Sequence, residues 1–426
     1  MSLNFRVKYF FTGMGVVGCI LLGFAIPTSR ALFNIASLLI ILGWVGAGDF
    51  KIKWRVVRES PLFWPIVAIW ALLFLGAFYS SAAWSDVIEH WSRYSKFFLV
   101  FMILGLLRKP WQILWTWYAF IAACGIVLVS TYLNIFFYLP WSKTQSLGLG
   151  GNHYVFIDHI AQSLVMGMFA ALSGLMSWAA TNWLARLFWG GLCVAASLSI
   201  VLLISSLIGY ALLLSLCLVI PALIVPRRNS LLVTGAILVV VLVTFFWTEH
   251  ARTGITEGVN EWMAYPKGEI FSSTGVSSTG VRLHIWRTSF ELWMQAPWFG
   301  HGTGAYHGLA KAAFNNDQMC SIGCFHPHNQ FLFFAVDHGL AGVLAFFGYL
   351  VSAIWIASRR TEPERAFFLA FVVILLVDSL GHGPLWLFME SYFSFGVMAL
   401  LASGPTGLFQ ARKMTFNSDL SSQVSR

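Results

Sequence analysis

The chain is built from repeated runs of about twenty apolar residues, and that pattern leaves few folds open, because such a run crosses a bilayer as a helix. In lipid every backbone amide must find its partner inside the protein, which restricts a spanning chain to helices or a closed barrel. The runs are 9–26, 31–48, 61–79, 94–107, 111–139, 159–180, 187–205, 208–225, 230–248, 329–357, 366–381 and 384–403. Segments 94–107 and 366–381 are short for a span, and 111–139 and 329–357 are long. One large polar insertion, 249–328, separates the ninth run from the tenth. The expectation is an all-α polytopic integral membrane protein with about twelve transmembrane helices and one large outward loop. It divides into 1–248 (helices one to nine), 249–328 (the loop with an amphipathic helix), 329–403 (helices ten to twelve) and 404–426. That last segment is a tail, polar and expected to be disordered after Arg412.

Composition supports this. Only 10% of residues are charged, where a soluble protein carries about a quarter, and the mean hydropathy is +0.75. The 20 tryptophans suit interfacial belts. The first run follows Arg6 and Lys8 and leads into Pro27-Thr28-Ser29 rather than a small-residue cleavage site, so it reads as a retained span. With the N-terminus inside, Lys51, Lys53, Arg55, Arg58, Arg108, Lys109, Arg227, Arg228, Arg359 and Arg360 gather on the inner side. Most outer cations fall in the long insertion, where the positive-inside rule has little force. Both termini are then cytoplasmic and 249–328 faces outward. Topology accounts for the formal charge of +9, and no nucleic-acid partner is needed.

Cys19, Cys124, Cys193 and Cys217 lie in apolar runs and read as small buried hydrophobes. Cys320 and Cys324 lie in the exported loop, where an oxidising compartment favours a disulfide. They open the densest polar stretch of the chain, Cys320-Ser-Ile-Gly-Cys324-Phe-His326-Pro-His328-Asn329-Gln330, directly before the tenth run. His328 falls where the hydrocarbon begins, able to meet a lipid-borne group on one side and a water-soluble one on the other. His284, His301 and His307 add to the histidine content of the loop. A zinc site is the competing reading, since Cys-x3-Cys-x-His-x-His offers enough ligands. The spacing matches no usual structural-zinc pattern and Pro327 stiffens the chain, so no metal is assigned.

Residues 280–296 read as a helix ending before Pro297. Arg282, Trp286, Ser289 and Trp293 share one stripe, which suits a helix lying on the membrane surface. An ordinary interfacial helix whose arginines meet lipid phosphates is the plain alternative. Gly300-His-Gly-Thr-Gly304 is a flexible turn whose amides could approach a phosphate, without the strand–turn–helix setting that would make it a nucleotide loop. On the tenth helix Ala335, Gly339 and Gly342 lie within about 40° of His328, and small residues there let another helix approach. Asp337 and His338 fall elsewhere on the wheel, as functional groups or as structural ties. Asp378, His382 and Glu390 bracket the last outward turn, and of these Glu390 is best placed to orient or assist a base.

The setting His328-Asn-Gln-Phe-Leu, with Gly339 in Asp-His-Gly-Leu-Ala-Gly, resembles the signature of O-antigen ligases and their relatives, the O-antigen polymerases and O-linked oligosaccharyltransferases. Arg282-Leu-His-Ile-Trp286 and Pro297-Trp-Phe-Gly-His-Gly-Thr-Gly304 are similar to that family's outward loop, and Asp158-His-Ile-Ala-Gln-Ser-Leu to the ligase branch. The architecture is alike over nearly the whole chain, whereas the specific motifs occupy about 280–345. One departure stands out: where the family has a Ser-Arg-Gly-like turn, this chain reads Ser205-Ser206-Leu207-Ile208-Gly209. Either another cation, such as Arg93, Lys96 or Lys143, supplies the charge or donor binding differs.

The resemblance implies glycan transfer on the periplasmic face of a Gram-negative inner membrane. The donor would be an undecaprenyl-diphosphate-linked polysaccharide, the acceptor a sugar hydroxyl of lipid A–core, with membrane lipids around both. His328 would act as general base, and Arg282 with Arg287 would hold the donor diphosphate. His326, Asn329, Gly339 and Glu390 would support them. No cofactor and no metal are implied, and direct attack at the anomeric carbon would invert it. A polymerase of the same superfamily would use the same histidine. A secondary transporter would share the span number, but its charged groups would lie at the midplane of broken helices.

Overall fold

The computed structural model describes residues 3–149, 151–204, 206–224, 278–314 and 317–409, with isolated residues between 235 and 260. The expected ninth run 230–248, nearly all of 249–277, Ser205 and the tail after Arg412 lie outside the described residues. The described chain is helical, with no strand among its residues.

Its first half comprises α1 (Leu3–Thr28), α2 (Arg30–Gly46), α3 (Phe50–Glu59), α4 (Phe63–Tyr79), α5 (Trp84–Tyr94), α6 (Lys96–Leu106), α7 (Pro110–Leu133), α8 (His159–Ala179), α9 (Trp183–Leu198) and α10 (Leu207–Ile224). The second half comprises α11 (Ser278–Gln295), α12 (Ala305–Phe314), α13 (Asp317–Gly323), α14 (Gln330–Ser358), α15 (Glu364–Gly381) and α16 (Phe388–Ser403). Local chemistry sets several of these ends. Pro110 opens α7, where its missing N–H costs nothing. Asp158 caps α8 by accepting the Ile160 and Ala161 amides at 3.0 Å, and Asn329 caps α14 by accepting the Leu332 amide at 3.0 Å.

Each expected run that falls within the described residues overlaps a helix, although the helix of 111–139 ends at Leu133, that of 384–403 begins at Phe388, and 94–107 straddles the junction of α5 and α6. Six of these helices are long and apolar enough to cross a membrane, or seven if α2 and α3, bent by 119°, count as one broken span. α4 and α16 are apolar but shorter, α6 has only 11 residues, and α15 carries Glu364, Arg365 and Asp378. The helices share one core through Trp117, Phe120, Phe169, Phe346, Phe367 and Phe371, all fully buried. α14 is the centre of the second half, packing on α4, α11, α12 and α15.

α14 is broken at Gly339, which takes φ 62° and ψ −156°. The opened turn frees the carbonyls of Val336 and Asp337 and the amides of Leu340 and Ala341. The segment after α11 satisfies all four: the His301 and Gly302 amides donate to Val336 and Asp337 at 2.9 and 2.8 Å, and Leu340 and Ala341 donate to Pro297 and Trp298 at 2.8 and 3.1 Å. The expected partner of Gly339 was another helix; the observed partner is a loop strapped into the break. A Cβ on Gly339 would lie 2.3 Å from the Trp298 carbonyl carbon.

The glycine turn is therefore structural. Its five amides go to Ala296, Val336, Asp337, Gly76 and the Asp337 carboxylate, which leaves none for a phosphate. Asp337 also accepts the Tyr306 amide at 2.9 Å and lies 3.0 Å from His90 Nε2, so it ties the turn to α5 and α12. The α11 stripe likewise differs from expectation. Ser289 is fully buried, as are its neighbours Val281 and Ile285, while Phe290, Met294 and Arg287 are exposed. The stripe faces α14 and α12 rather than lipid.

Gly339→Ala combines an unfavourable left-handed φ with a backbone clash and is expected to cost about 2–3 kcal/mol or more. Gly308→Ala, on the exposed side of α12 with open space around it, should leave stability unchanged. Thermal melting of the two variants in detergent checks this, and equal melting temperatures would refute the strap.

Candidate active site

His326, His328 and His382 converge at the N-terminal end of α14. Ring centroids are 4.2 Å apart for His326–His328, 5.5 Å for His328–His382 and 5.7 Å for His326–His382. Pro327 biases His326 towards extended backbone, and His328 then takes φ 49°, an uncommon conformation for a non-glycine residue. Three contacts hold it there. The His328 amide donates to His326 Nδ1 at 2.9 Å, Trp286 Nε1 donates to the His328 carbonyl at 3.3 Å, and His328 Nε2 faces the Ile322 carbonyl at 3.1 Å.

The last contact sets the tautomer. A carbonyl only accepts, so His328 Nε2 carries the hydrogen and Nδ1 keeps its lone pair. Nδ1 is buried without a hydrogen-bond partner. Ile322 sits inside the ring closed by the Cys320–Cys324 disulfide, so the covalent loop presents the carbonyl that orients the imidazole. Burial, with the charge of Arg282 next, lowers the His328 pKa to about 4. His326 is pushed well below the ordinary range by burial and by the charges of His328, Arg282 and Arg93. Burial and the neighbouring rings do the same to His382.

Glu390 reaches His382 and not His328: its Oε1 lies 3.4 Å from His382 Nδ1, with Asp378 Oδ1 at 3.9 Å. His382 thus stands between the base candidate and the acids. Both oxygens of Asp378 are buried without a hydrogen-bond partner. Asn329 Nδ2 donates to the Leu380 carbonyl at 3.1 Å, and Gln330 joins Tyr94 Oη at 3.1 Å to the Leu385 amide at 3.1 Å, pinning α15, α16 and their connecting turn against the histidines.

The two candidate arginines of α11 part company. Arg282 is half-buried, and its charge reaches His326, His328 and Asp378. Arg287 is exposed, and its Nε holds Glu291 at 2.8 Å. Gly339 lies at the break in α14 and acts through the strap.

One ring nitrogen from each of His326, His328 and His382 could hold a metal, since these atoms lie within 4.8 Å of one another. The hydrogen bonds argue against that use. His326 Nδ1 already accepts an amide, which in the neutral ring puts the hydrogen on Nε2 and leaves this residue no free lone pair. The pattern suits proton handling better than coordination.

Sequence reasoning undervalued His382, Gln330 and Trp286, and the Ile322 carbonyl lay beyond it. The Gly381-His382-Gly383-Pro384 turn was the one available signal, a histidine in a tight turn opposite a histidine-rich loop.

Residues 191–347 match the family model described as O-antigen ligase, and no curated protein matches the chain. The matched segment contains Arg282, the disulfide ring, His326, His328 and the Gly339 break, whereas His382 and Glu390 are supplied from beyond it. That segment is thus similar to the O-antigen ligase family, and the apolar helices around it make the chain a multi-pass membrane protein.

Proposed function

We propose that this chain is an O-antigen ligase. It would transfer a polysaccharide from undecaprenyl diphosphate to lipid A–core on the periplasmic face of a Gram-negative inner membrane. About twelve spans, cytoplasmic termini and a periplasmic loop between spans nine and ten complete this reading. The observation that carries it is the buried, unpartnered Nδ1 of His328 beside the charge of Arg282.

The acceptor hydroxyl oxygen attacks the anomeric carbon and forms the new glycosidic bond. The bond from that carbon to the diphosphate oxygen breaks, and its electron pair leaves with the diphosphate. The hydroxyl proton passes to His328 Nδ1. Attack opposite the leaving group inverts the anomeric centre. Arg282 meets the charge that develops on the diphosphate, where a planar guanidinium can grip two oxygens. Glu390 acts through His382, which packs beside the base. The reaction uses no metal in this scheme.

Ligation to lipid A–core in a ligase-deficient strain tests the whole reading. His328→Asn keeps a side chain that tolerates positive φ and should reduce transfer by about 10²–10⁴-fold at matched expression. Normal ligation by this variant would exclude His328 as the base. A defect in polymer length, with ligation intact, would assign the chain to the polymerases instead.

The pH dependence follows from the lowered pKa. Only neutral His328 accepts a proton, so its contribution is present above about 4 and lost as pH falls through that value. Transfer by purified enzyme should show no acid limb near the ordinary histidine value. Arg282→Gln removes a charge that opposes protonation, and the acid limb of its residual activity should move upward. A wild-type limb near 6.5, unmoved in Arg282→Gln, would contradict the assigned environment.

Replacing Cys320 and Cys324 by serine should reduce activity partially while leaving membrane insertion intact. So small a ring stabilises the fold by no more than ~2 kcal/mol, and its use lies in holding the Ile322 carbonyl. Loss as complete as that of His328→Asn would show that the loop does more than orient. Chelator should leave activity in place; loss restored by zinc would favour coordination by the three histidines.

A further inference from the structure

A second group of cations lies across the 382–387 turn from Arg282, and the transfer chemistry above does not use it. Arg30 opens α2, Arg93 ends α5 and Lys96 opens α6. The guanidinium carbons of Arg30 and Arg93 each sit 3.6 Å from the centroid of the Phe388 ring. The two charges are therefore no farther apart than twice that distance. Lys96 Nζ donates to the Arg93 carbonyl at 2.9 Å and lies 5.3 Å from the Tyr392 ring.

Acidic compensation is thin. Arg93 pairs with Glu89 at 2.6 Å, while Arg30 and Lys96 have no carboxylate within 4 Å among the described residues. Glu390, on the same helix as Phe388, turns to His382. The first turn of α2 carries no acid, so Arg30 also sits at the positive end of a helix dipole. Arg30 is exposed and Arg93 and Lys96 are half-buried, so water screens the repulsion between these like charges only in part. An anion at the edge of the Phe388 ring, beside both guanidiniums, would relieve that repulsion.

The cluster also adjoins the histidines. Arg93 Nη1 lies 3.5 Å from the Trp386 carbonyl, and Trp386 packs on His90 with centroids 4.2 Å apart. The charges of Arg282 and Arg93 both reach His326.

We propose that Arg30, Arg93 and Lys96 form a phosphate subsite at the mouth of the histidine site, taking the phosphate of a lipid-linked diphosphate. Phe388 holds the two guanidiniums by cation–π contact and leaves the N–H edge of Arg30 to grip oxygens, while Arg93, whose Nε and Nη2 bond Glu89 and whose Nη1 faces the Trp386 carbonyl, adds chiefly its charge. The chemistry fits any phosphate on a lipid, so a substrate diphosphate and a bulk phospholipid headgroup are the two sources to separate. Assigning the subsite to the transfer substrate rests on the function proposed above. It would also supply the cation that Leu207 does not.

The test uses the full chain in phosphatidylcholine nanodiscs, with undecaprenyl diphosphate as the probe and native mass spectrometry as the readout. Arg30→Gln and Arg93→Gln should each weaken binding by about tenfold or more, at unchanged melting temperature. Arg30→Lys and Arg93→Lys, which keep the charge and cover the case in which glutamine prevents insertion, should weaken it less. Wild-type affinity in the folded double glutamine variant would overturn the subsite. So would loss in the lysine variants equal to that in the glutamine ones. Displacement of the probe by phosphatidylglycerol at comparable concentration would assign the cluster to bulk headgroups and overturn its role as a substrate site. Binding that depends on Arg30 and Arg93, in a protein that transfers nothing to lipid A–core, would uphold the subsite and reject the ligase reading.

Discussion

The architecture depends on an exchange of backbone hydrogen bonds at one glycine. A helix opened in the middle leaves carbonyls and amides that lipid cannot satisfy, and each costs several kcal/mol if left bare. At Gly339 the segment 297–302 takes up four of these groups. Only glycine fits, because the backbone of Trp298 occupies the space of a side chain. Irregular backbone is tolerated at membrane depth only where protein buries it, and here it is enclosed by α4, α11 and α14. The strap also fixes α11, and with it Trp286, whose indole holds the backbone of His328.

The site then follows from how little solvent reaches it. Three imidazoles within a few ångströms of one another cannot all be charged, and burial together with Arg282 and Arg93 keeps His326 and His328 neutral. A neutral imidazole has one lone pair, and hydrogen bonding decides which nitrogen bears it. For His328 a carbonyl in a five-residue disulfide ring makes that decision. The charge of Arg282 reaches His326 and His328, and that of Arg93 reaches His326, an arrangement that leaves positive potential over the cluster.

Much was legible in the sequence because membrane helices declare themselves by length and composition. The apolar runs gave the helices and the break between α1 and α2. His328 stood out by its position at the end of a run, and Gly339 by its place on the same stripe. The stripe of α11 was identified correctly, but its direction was not: Trp286 and Trp293 suit a membrane surface as well as a protein interior, and their indole N–H groups found carbonyls of His328 and Pro297. The glycine turn looked like an open anion cradle because sequence does not reveal that all its amides have protein acceptors.

By itself the sequence determined an all-helical membrane chain, its polar loop and the residue types that handle protons, since each is written in local composition. Tertiary structure decided which of those residues meet. His382 and Glu390 lie more than fifty residues from His328, and no periodicity links them; α15 and α16 bring them together. Arg282 and Arg287 are alike in sequence but lie on different faces of α11, and only packing against α14 separates a half-buried cation from an exposed ion pair. Arg30 and Arg93 meet over Phe388 because three helix ends converge there. Long-range proximity is a property of packed surfaces, and a local pattern contains no record of it.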